Sequence, residues 1–326
     1  MYTVKACLPS AQTPIFGNIS LSDKNWFKTG GLAQYFIEPL TANDFSQALI
    51  WAEKNHLPIF VLGQGANVLI SDDGFQGVVI RPHLQDITTI DNDDHVYVTA
   101  GSGVVLHDLI EWCLEHNISG LEEFSGIPGT VGGSVYINLH YYEFLFEHFL
   151  VSGQVICKKT GAILNVDKNW FAFNYNTSTL QAKEYYLSSA TFCLKRISDV
   201  ATAYAQGRRA EIIRHRARRY PTANTCGSFF RNFLPHEVSM NGTQKPVIHV
   251  AYYLDKVGIK GELSHNDAIV SWQHANMIVN KGAATTTDII TIARQMQELV
   301  HKKFGLLPQP ECELVGFNTY PLHTHL

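Results

Sequence analysis

The chain predicts a mixed α/β fold of two or three subdomains, and three observations carry that expectation. A helical pattern at residues 41–56 is followed, after Pro58, by the apolar run Ile59-Phe60-Val61-Leu62, which enters a glycine-rich loop directly. Short strand-like runs then dominate up to residue 195, with one clear helix among them. From Ile197 the pattern turns helical and charged, and a long amphipathic helix lies near the end, at Thr286–Phe304. A length of 326 residues with 45% apolar side chains is enough for several buried cores.

In the first helix Phe45, Ala48, Leu49 and Ala52 share one face, and Thr41 or Asn43 is placed to cap its start. Strands are expected at 77–81 and 96–100. Gly101-Ser102-Gly103 leads into a helix at 106–116 whose apolar side carries Val105, Leu109, Trp112 and Cys113. Further strands are expected at 151–157, 162–166 and 185–195, the last alternating strictly enough for one buried face. The helix at 197–219 marks passage into another domain. Beyond it, strands are expected at 229–231, 268–270 and 277–279, and a helix at 251–257. The last helix should be capped by Thr286 or Thr287, with Asp288 in its first turn and Ile289, Ile290, Ile292, Ala293, Met296, Leu299 and Val300 making one broad apolar stripe.

Two glycine-rich stretches lie roughly sixty residues apart: Gly63-Gln64-Gly65-Ala66-Asn67-Val68-Leu69 and Ser125-Gly126-Ile127-Pro128-Gly129-Thr130-Val131-Gly132-Gly133. Small residues remove the Cβ atoms that keep a bulky ligand from main-chain N–H groups, and glycine takes the positive φ values that turn those groups toward one anion. Asn67 adds a side-chain amide, and Pro128 stiffens the second stretch. Two such cradles suit a long diphosphate ligand such as a dinucleotide. The residues alone do not separate FAD from NAD. Neither stretch is a G-x-G-x-x-G opening a helix with an acid about 20 residues on, which speaks against a Rossmann site.

Composition narrows the alternatives. The net charge of −4 and the absence of a long basic run point away from nucleic acid. Arg208, Arg209, Arg214, Arg216, Arg218 and Arg219 crowd one segment, but helical spacing scatters them over a solvated surface. No apolar run approaches the ~20 residues of a spanning helix, and Met1–Ser10 lacks the pattern of a signal peptide, so a cytoplasmic protein is expected. The six cysteines, Cys7, Cys113, Cys157, Cys193, Cys226 and Cys312, show no C-x-x-C spacing and read as reduced, mostly buried thiols. No ligand spacing supports a metal site.

With these residues laid out, the chain resembles the UDP-N-acetylenolpyruvoylglucosamine reductases, FAD enzymes of peptidoglycan synthesis. Asn25-Trp26-Phe27-Lys28-Thr29-Gly30-Gly31 is similar to that family's N-T-x-R-x-G-G. Gly63–Leu69 is similar to G-x-G-S-N-x-L, and Ser125–Gly133 to S-G-I-P-G-T-V-G-G. Cys226-Gly227-Ser228-Phe229-Phe230-Arg231-Asn232 is similar to A-G-S-x-F-K-N. His274-Ala275-Asn276-Met277-Ile278-Val279-Asn280 and Pro310-Glu311 complete an ordered set over nearly the whole chain. The lack of a long insertion after Tyr175 resembles the shorter of the family's two types.

The resemblance implies an α+β chain: a vanillyl-alcohol-oxidase-type FAD-binding domain of two α/β subdomains at 18–82 and 83–198, and a C-terminal α+β substrate domain at 205–318. It implies that Gly63, Gln64, Gly65, Ala66, Asn67, Leu69, Gly126, Ile127, Pro128, Gly129, Thr130, Gly132 and Gly133 bind FAD, with NADPH as the reductant. A UDP-sugar would be the substrate, held by Tyr175, Arg231 and Asn232, and the chain is expected to be a monomer. In the implied reaction hydride reaches the enolpyruvyl β-carbon while an acid protonates the α-carbon. Ser228 matches the proton donor. A free serine is a very weak acid, so that role needs an enolate poised beside it. Glu311 matches the residue that polarises the carboxylate side of the substrate.

Three departures fall on the substrate side. Phe173-Asn174-Tyr175-Asn176-Thr177-Ser178 aligns with F-x-Y-R-x-S, so Asn176 replaces an arginine that stabilises the intermediate carboxylate. Loss of one charge-assisted donor costs on the order of 3 kcal/mol in rate. Where the family runs N-A-G-A-Y-G after Gly133, this chain has Asn138 followed by the bulky Leu139–Phe146, expected to refill the flavin's surroundings or narrow a substrate channel. Phe233 stands where proline follows Asn232. A flavoprotein of the same fold with another acceptor, or a FAD-binding protein without turnover, therefore stays open beside the reductase.

Overall fold

The strand expected after Pro58 forms as Ile59–Val61 and lies parallel to Phe75–Ile80, with Ile59 opposite Val78. The computed structural model describes residues 3–8, 13–93, 95–238 and 247–326. The leader reading of Met1–Ser10 therefore falls partly outside the described residues. The chain divides into two units, one of Met1–Ile19, Ala33–Gln64 and Gln76–His215, the other of Ser20–Leu32, Gly65–Phe75 and Arg216–Leu326.

The first unit is built on two sheets. One has the strand order Thr3–Cys7, Pro14–Ser20, Leu32–Ile37, Phe75–Ile80, Ile59–Val61. The helix Ala42–Lys54 buries Phe45, Ala48, Leu49 and Ala52 in a core with Ile15, Ile37, Val78 and Ile80. Thr41 caps it, accepting from the Asp44 N–H while the Asp44 carboxylate accepts from the Thr41 N–H, a reciprocal arrangement that contributes about 1 kcal/mol. The other sheet is antiparallel, in the order Ile163–Asp167, Leu150–Cys157, Tyr185–Arg196, His95–Gly101, Ile87–Asn92. Along Tyr185–Arg196, Ser188, Ala190, Phe192 and Leu194 point inward at period two. Ala190, Phe192 and Leu194 meet a core shared with Val96, Val98, Leu109, Cys113 and Phe124.

The second unit contains a three-stranded antiparallel sheet, Ser264–His265, Ala268–Val270 and Ile278–Asn280, together with the helices Val250–Lys256 and Thr286–Phe304. Its core joins Leu254, Val270, Ile278, Ile292, Met296 and Val300 to Phe229, Phe230, Cys226 and Cys312. Val68–Ile70 pairs in parallel with Glu313–Val315. Asp199–Arg219 is one continuous helix, as its charge pattern predicts. Two of its arginines are not simply solvated: Arg208 makes a bidentate pair with Glu123 at 2.8 and 3.0 Å, and Arg209 lies 3.7 Å from Glu111.

Three local expectations are corrected. Residues 229–231 make no strand, only an isolated bridge between Phe230 and Pro310. The Asn276 side chain takes the place of a partner strand, accepting from the Phe230 N–H at 3.0 Å and donating to the Phe230 carbonyl at 2.7 Å. The cap of the last helix is Thr285, not Thr286 or Thr287, and Asp288 closes a capping box with it. The N–H groups of Thr286 and Thr287 instead donate to the Asp72 carboxylate at 2.8 and 2.9 Å. The second glycine stretch is not loop throughout, because Val131–Tyr136 is a short helix capped by Thr130. Among the described residues no helix is long and apolar enough to cross a membrane.

Candidate active site

In the first unit the two glycine stretches meet directly. A Cβ on Gly63 would stand 2.7 Å from Thr130 Oγ1, so this approach requires glycine. The Gly129 N–H donates to Gln64 Oε1 at 2.9 Å. The Gly132 N–H donates to the Ser102 carbonyl at 2.9 Å, and the Gly133 N–H to Thr130 Oγ1 at 3.2 Å. The expectation that these second-stretch N–H groups turn toward an anion is corrected: all three are satisfied within the protein. Gly129 itself has φ +147°, and a Cβ there would meet nothing within 4 Å, so its backbone presents an open surface.

The first stretch keeps its donors. The main-chain N–H groups from Gly63 to Asn67 meet no acceptor among the described residues. Consecutive unpaired N–H groups are what a phosphate oxygen requires, and burying them without such a partner costs 1–3 kcal/mol each by the usual order of magnitude. Gly65 takes φ +66°, and a Cβ there would lie 2.6 Å from Asn25 Cα. The Asn67 amide, expected to face the ligand, donates to the Glu311 carbonyl at 3.4 Å. The chemistry of this stretch fits the diphosphate of a dinucleotide.

In the second unit the two residues singled out as acids are brought onto adjoining segments. The Glu311 N–H donates to the Phe229 carbonyl at 2.8 Å, next to the Phe230–Pro310 bridge. Ser228 is half-buried and follows Gly227, whose φ of +80° favours glycine and turns the chain there. Asn232 accepts from the Val250 N–H at 3.3 Å, at the start of a helix. The Arg231 guanidinium, expected with Tyr175 and Asn232 to hold the UDP-sugar, is engaged within the protein. It holds Glu237 at 2.7 and 2.8 Å and the Asn232 carbonyl at 2.9 Å. Arg231 hydrogen-bonding in turn holds the Glu237 carboxyl below the usual carboxylate range.

Cationic groups collect elsewhere in that unit. A cavity of about 400 Å³ is lined by Arg219, Lys260, Tyr252, Asp255, Gln273 and His274 among others. The Gln273 amide donates to the carbonyls of Ala217 and Arg218 at 3.1 and 3.3 Å, fixing the helix end that carries Arg219. Burial, then the charges of Arg219 and Lys260, push the His274 imidazole down to about 4, while Asp255 opposes them. Two cations beside aromatic rings suit a nucleoside diphosphate. Lys260 belongs to none of the motifs visible in the sequence and His274 carries no role there, because the residues that line this cavity lie far apart along the chain.

Tyr175 and Asn176 belong to the first unit, on a turn closed by hydrogen bonds between Asn174 and Thr177. Asn176 has φ +54°, and its amide nitrogen is buried without a hydrogen-bond partner among the described residues. The Leu139–Phe146 segment folds as a hairpin, with His140 opposite Leu145. Leu139 and Phe146 enter the unit's core, Phe146 packing edge-on against Phe124 and Phe192. Its bulk therefore goes in part to packing, and His140 lies 5.2 Å from the Tyr175 ring.

This architecture is that of a flavoprotein: residues 33–167 match the family of FAD binding domains. Residues 219–315 match the UDP-N-acetylenolpyruvoylglucosamine reductase C-terminal domain. The UDP-N-acetylenolpyruvoylglucosamine reductase of Clostridium botulinum (strain Eklund 17B / Type B) is 30% identical over 301 residues, covering 92% of this chain and 92% of that one. The protein of the same name from Acaryochloris marina is 32% identical over 302 residues, covering 91% and 92%. The crystal structure of UDP-N-acetylenolpyruvylglucosamine reductase from Thermus caldophilus superposes with a TM-score of 0.73 at 26% identity, covering 91% of this chain and 98% of that one. The chain belongs to the UDP-N-acetylenolpyruvoylglucosamine reductase family.

Proposed function

We propose that the chain is a FAD-dependent enzyme that uses NADPH to reduce the enolpyruvyl group of UDP-N-acetylglucosamine enolpyruvate, giving UDP-N-acetylmuramate for peptidoglycan. The observation that carries this reading is the hydrogen bond from the Glu311 N–H to the Phe229 carbonyl, because it fixes the Ser228 and Glu311 segments against each other. Residues 18–82 and 83–198 are the FAD-binding subdomains in this reading, and 205–318 the substrate domain. The setting is a cytoplasmic monomer serving cell-wall synthesis, and through it cell shape and division.

When bound, FAD supplies hydride acceptance from NADPH and hydride delivery to the enolpyruvyl β-carbon. Gly63, Gln64, Gly65, Ala66 and Asn67 present main-chain donors to its diphosphate, and Leu69 continues that stretch. Gly126, Ile127, Pro128, Gly129, Thr130, Gly132 and Gly133 shape the wall it lies on. Ser228 gives its proton to the substrate α-carbon, and Glu311 polarises the carboxylate side. Arg219 and Lys260 take the UDP diphosphate, while Arg231, paired with Glu237, positions Asn232 toward the sugar nucleotide. Tyr175 contacts the substrate, and the Asn176 amide donates where the family's arginine would.

Purified protein should be yellow and should oxidise NADPH rapidly only when UDP-N-acetylglucosamine enolpyruvate is present. Protein that remains colourless after reconstitution with FAD would sink the reading. A second reading, a flavoprotein of this family with another acceptor, is favoured by Asn176 alone. It requires flavin reduction by NADPH with no response to the enolpyruvyl compound.

A further inference from the structure

The remaining buried reactive groups include one juxtaposition that the reductase reading does not use. Cys226 and Cys312 are 5% and 4% exposed and sit in the same core with Phe229 and Phe230. Neither is in a disulfide, and the Cys312 thiol is near enough to Cys226 to push its thiol up. Cys226 is two residues before Ser228, and Cys312 directly follows Glu311. The backbone holds these segments together through the Glu311–Phe229 hydrogen bond of 2.8 Å and the Phe230–Pro310 bridge.

We propose that Cys226 and Cys312 are a covalent modification site, at which a hydroperoxide closes a reversible disulfide between the segments carrying Ser228 and Glu311. Only the consequence for turnover rests on the reductase reading. One thiolate attacks hydrogen peroxide: an S–O bond forms, the O–O bond breaks, and hydroxide leaves, taking up the proton that the thiol released to give the first water. The second thiol then attacks the sulfenic sulfur: an S–S bond forms, the S–O bond breaks, and the second water leaves. Two electrons pass from the sulfurs to hydrogen peroxide, and a dithiol reverses the change. Burial, the neighbouring Cys312 thiol and the Glu311 carboxylate hold Cys226 protonated, so attack by Cys226 is slow at neutral pH and accelerates as pH rises.

Once one sulfur is oxidised, its neighbour is already in place, and the sulfurs must close to about 2.05 Å. That approach draws on the Gly227 turn and on Cys312, and displaces Ser228 from Glu311. Fully reduced holoprotein is treated with hydrogen peroxide, alkylated under denaturing conditions, and mapped without reductant. The expected product is one cross-linked peptide pair containing Cys226 and Cys312, reversed by dithiothreitol and absent from Cys226→Ala and from Cys312→Val. Turnover should fall at least tenfold as the cross-link forms, recover with dithiothreitol, and persist in peroxide-treated Cys226→Ala. Recovery of the two cysteines separately alkylated, or cross-linked to other cysteines, would overturn the proposal. So would a complete cross-link with unchanged turnover. Reduced protein inactive toward the enolpyruvyl substrate defeats the reductase reading instead, and the peptide map still decides the disulfide.

Discussion

Gln64 Oε1 accepts the main-chain N–H of Gly129 at 2.9 Å, so a side chain from the first glycine stretch holds the second in place. The same acceptor geometry is available to a carboxylate, which provides a clean substitution. Gln64→Glu retains the hydrogen bond but brings a negative charge to residues proposed to hold a diphosphate. The apoprotein melting temperature should stay unchanged while FAD affinity drops tenfold or more, since tenfold is about 1.4 kcal/mol. Fluorescence titration of apoprotein with FAD measures this. Equal affinity in both forms would remove Gln64 from the flavin site.

Much of this arrangement was legible in the sequence, for physical reasons that differ by element. Tyr185–Arg196 and Thr286–Phe304 declared themselves because each buries one face, which imposes a period on the residues. Ile87–Asn92 escaped because almost all of it is exposed at a sheet edge, leaving its residues no period to keep. The glycines of the second stretch were visible, but not that Gln64, Thr130 and Ser102 would satisfy their N–H groups. Such partners are distant along the chain and leave no local signal. The Arg231–Glu237 pair was hidden for a related reason: the sequence shows a cation in a motif, not the carboxylate that occupies it.

Ser228→Ala should separate the two half-reactions. Flavin reduction by NADPH should keep its rate, and reoxidation by the enolpyruvyl substrate should slow at least a hundredfold, the lower range for loss of a positioned proton donor. Stopped-flow absorbance resolves both phases. Equal slowing of both phases would make Ser228 a structural turn residue after Gly227.

Asn176 holds a buried amide nitrogen without an acceptor among the described residues, at a φ of +54° that asparagine and glycine tolerate best. Asn176→Gly removes the unpaired donor and relaxes the backbone, so stability should hold or rise by up to about 1 kcal/mol. If the amide serves the substrate carboxylate, flavin reoxidation by the enolpyruvyl compound should slow roughly tenfold. Unchanged reoxidation kinetics would exclude the amide from the reaction and leave the second reading without its observation.

Thr285 and Asp288 cap the last helix reciprocally, with the Asp288 N–H at 3.1 Å from Thr285 Oγ1 and the Thr285 N–H at 2.8 Å from the Asp288 carboxylate. Burial pushes the Asp288 carboxyl up, but hydrogen bonds from Thr285 and Asn266 outweigh it, so the net shift is downward. A carboxylate depressed in the fold stabilises above its ordinary value near 4, and the stabilisation is lost as pH falls through the folded value. Thr285→Ala should cost about 1 kcal/mol at pH 7 and soften the acid dependence below pH 4. Urea unfolding midpoints over that range, unchanged by the substitution, would show the cap to be idle.

His274 supplies a second titration, with a different window. Burial, then the charges of Arg219 and Lys260, hold it neutral down to about pH 4, against an ordinary value of 6.5. Between those limits the unfolded chain binds the proton and the folded chain does not, so stability rises with pH across that interval. The contribution is complete above pH 6.5 and lost as pH falls toward 4. It should amount to on the order of 2 kcal/mol after allowance for solvent screening at the cavity mouth. His274→Gln should flatten the stability profile there and leave the plateau near pH 8 largely in place. The same imidazole reports on the cavity, because a diphosphate anion would offset the two cations that depress it. Saturating UDP should therefore raise the His274 titration midpoint, followed by its imidazole proton resonances, whereas uridine without phosphates should not. A midpoint indifferent to UDP would mean that the Arg219–Lys260 cavity is not where the diphosphate binds, and the substrate would have to be held by other residues.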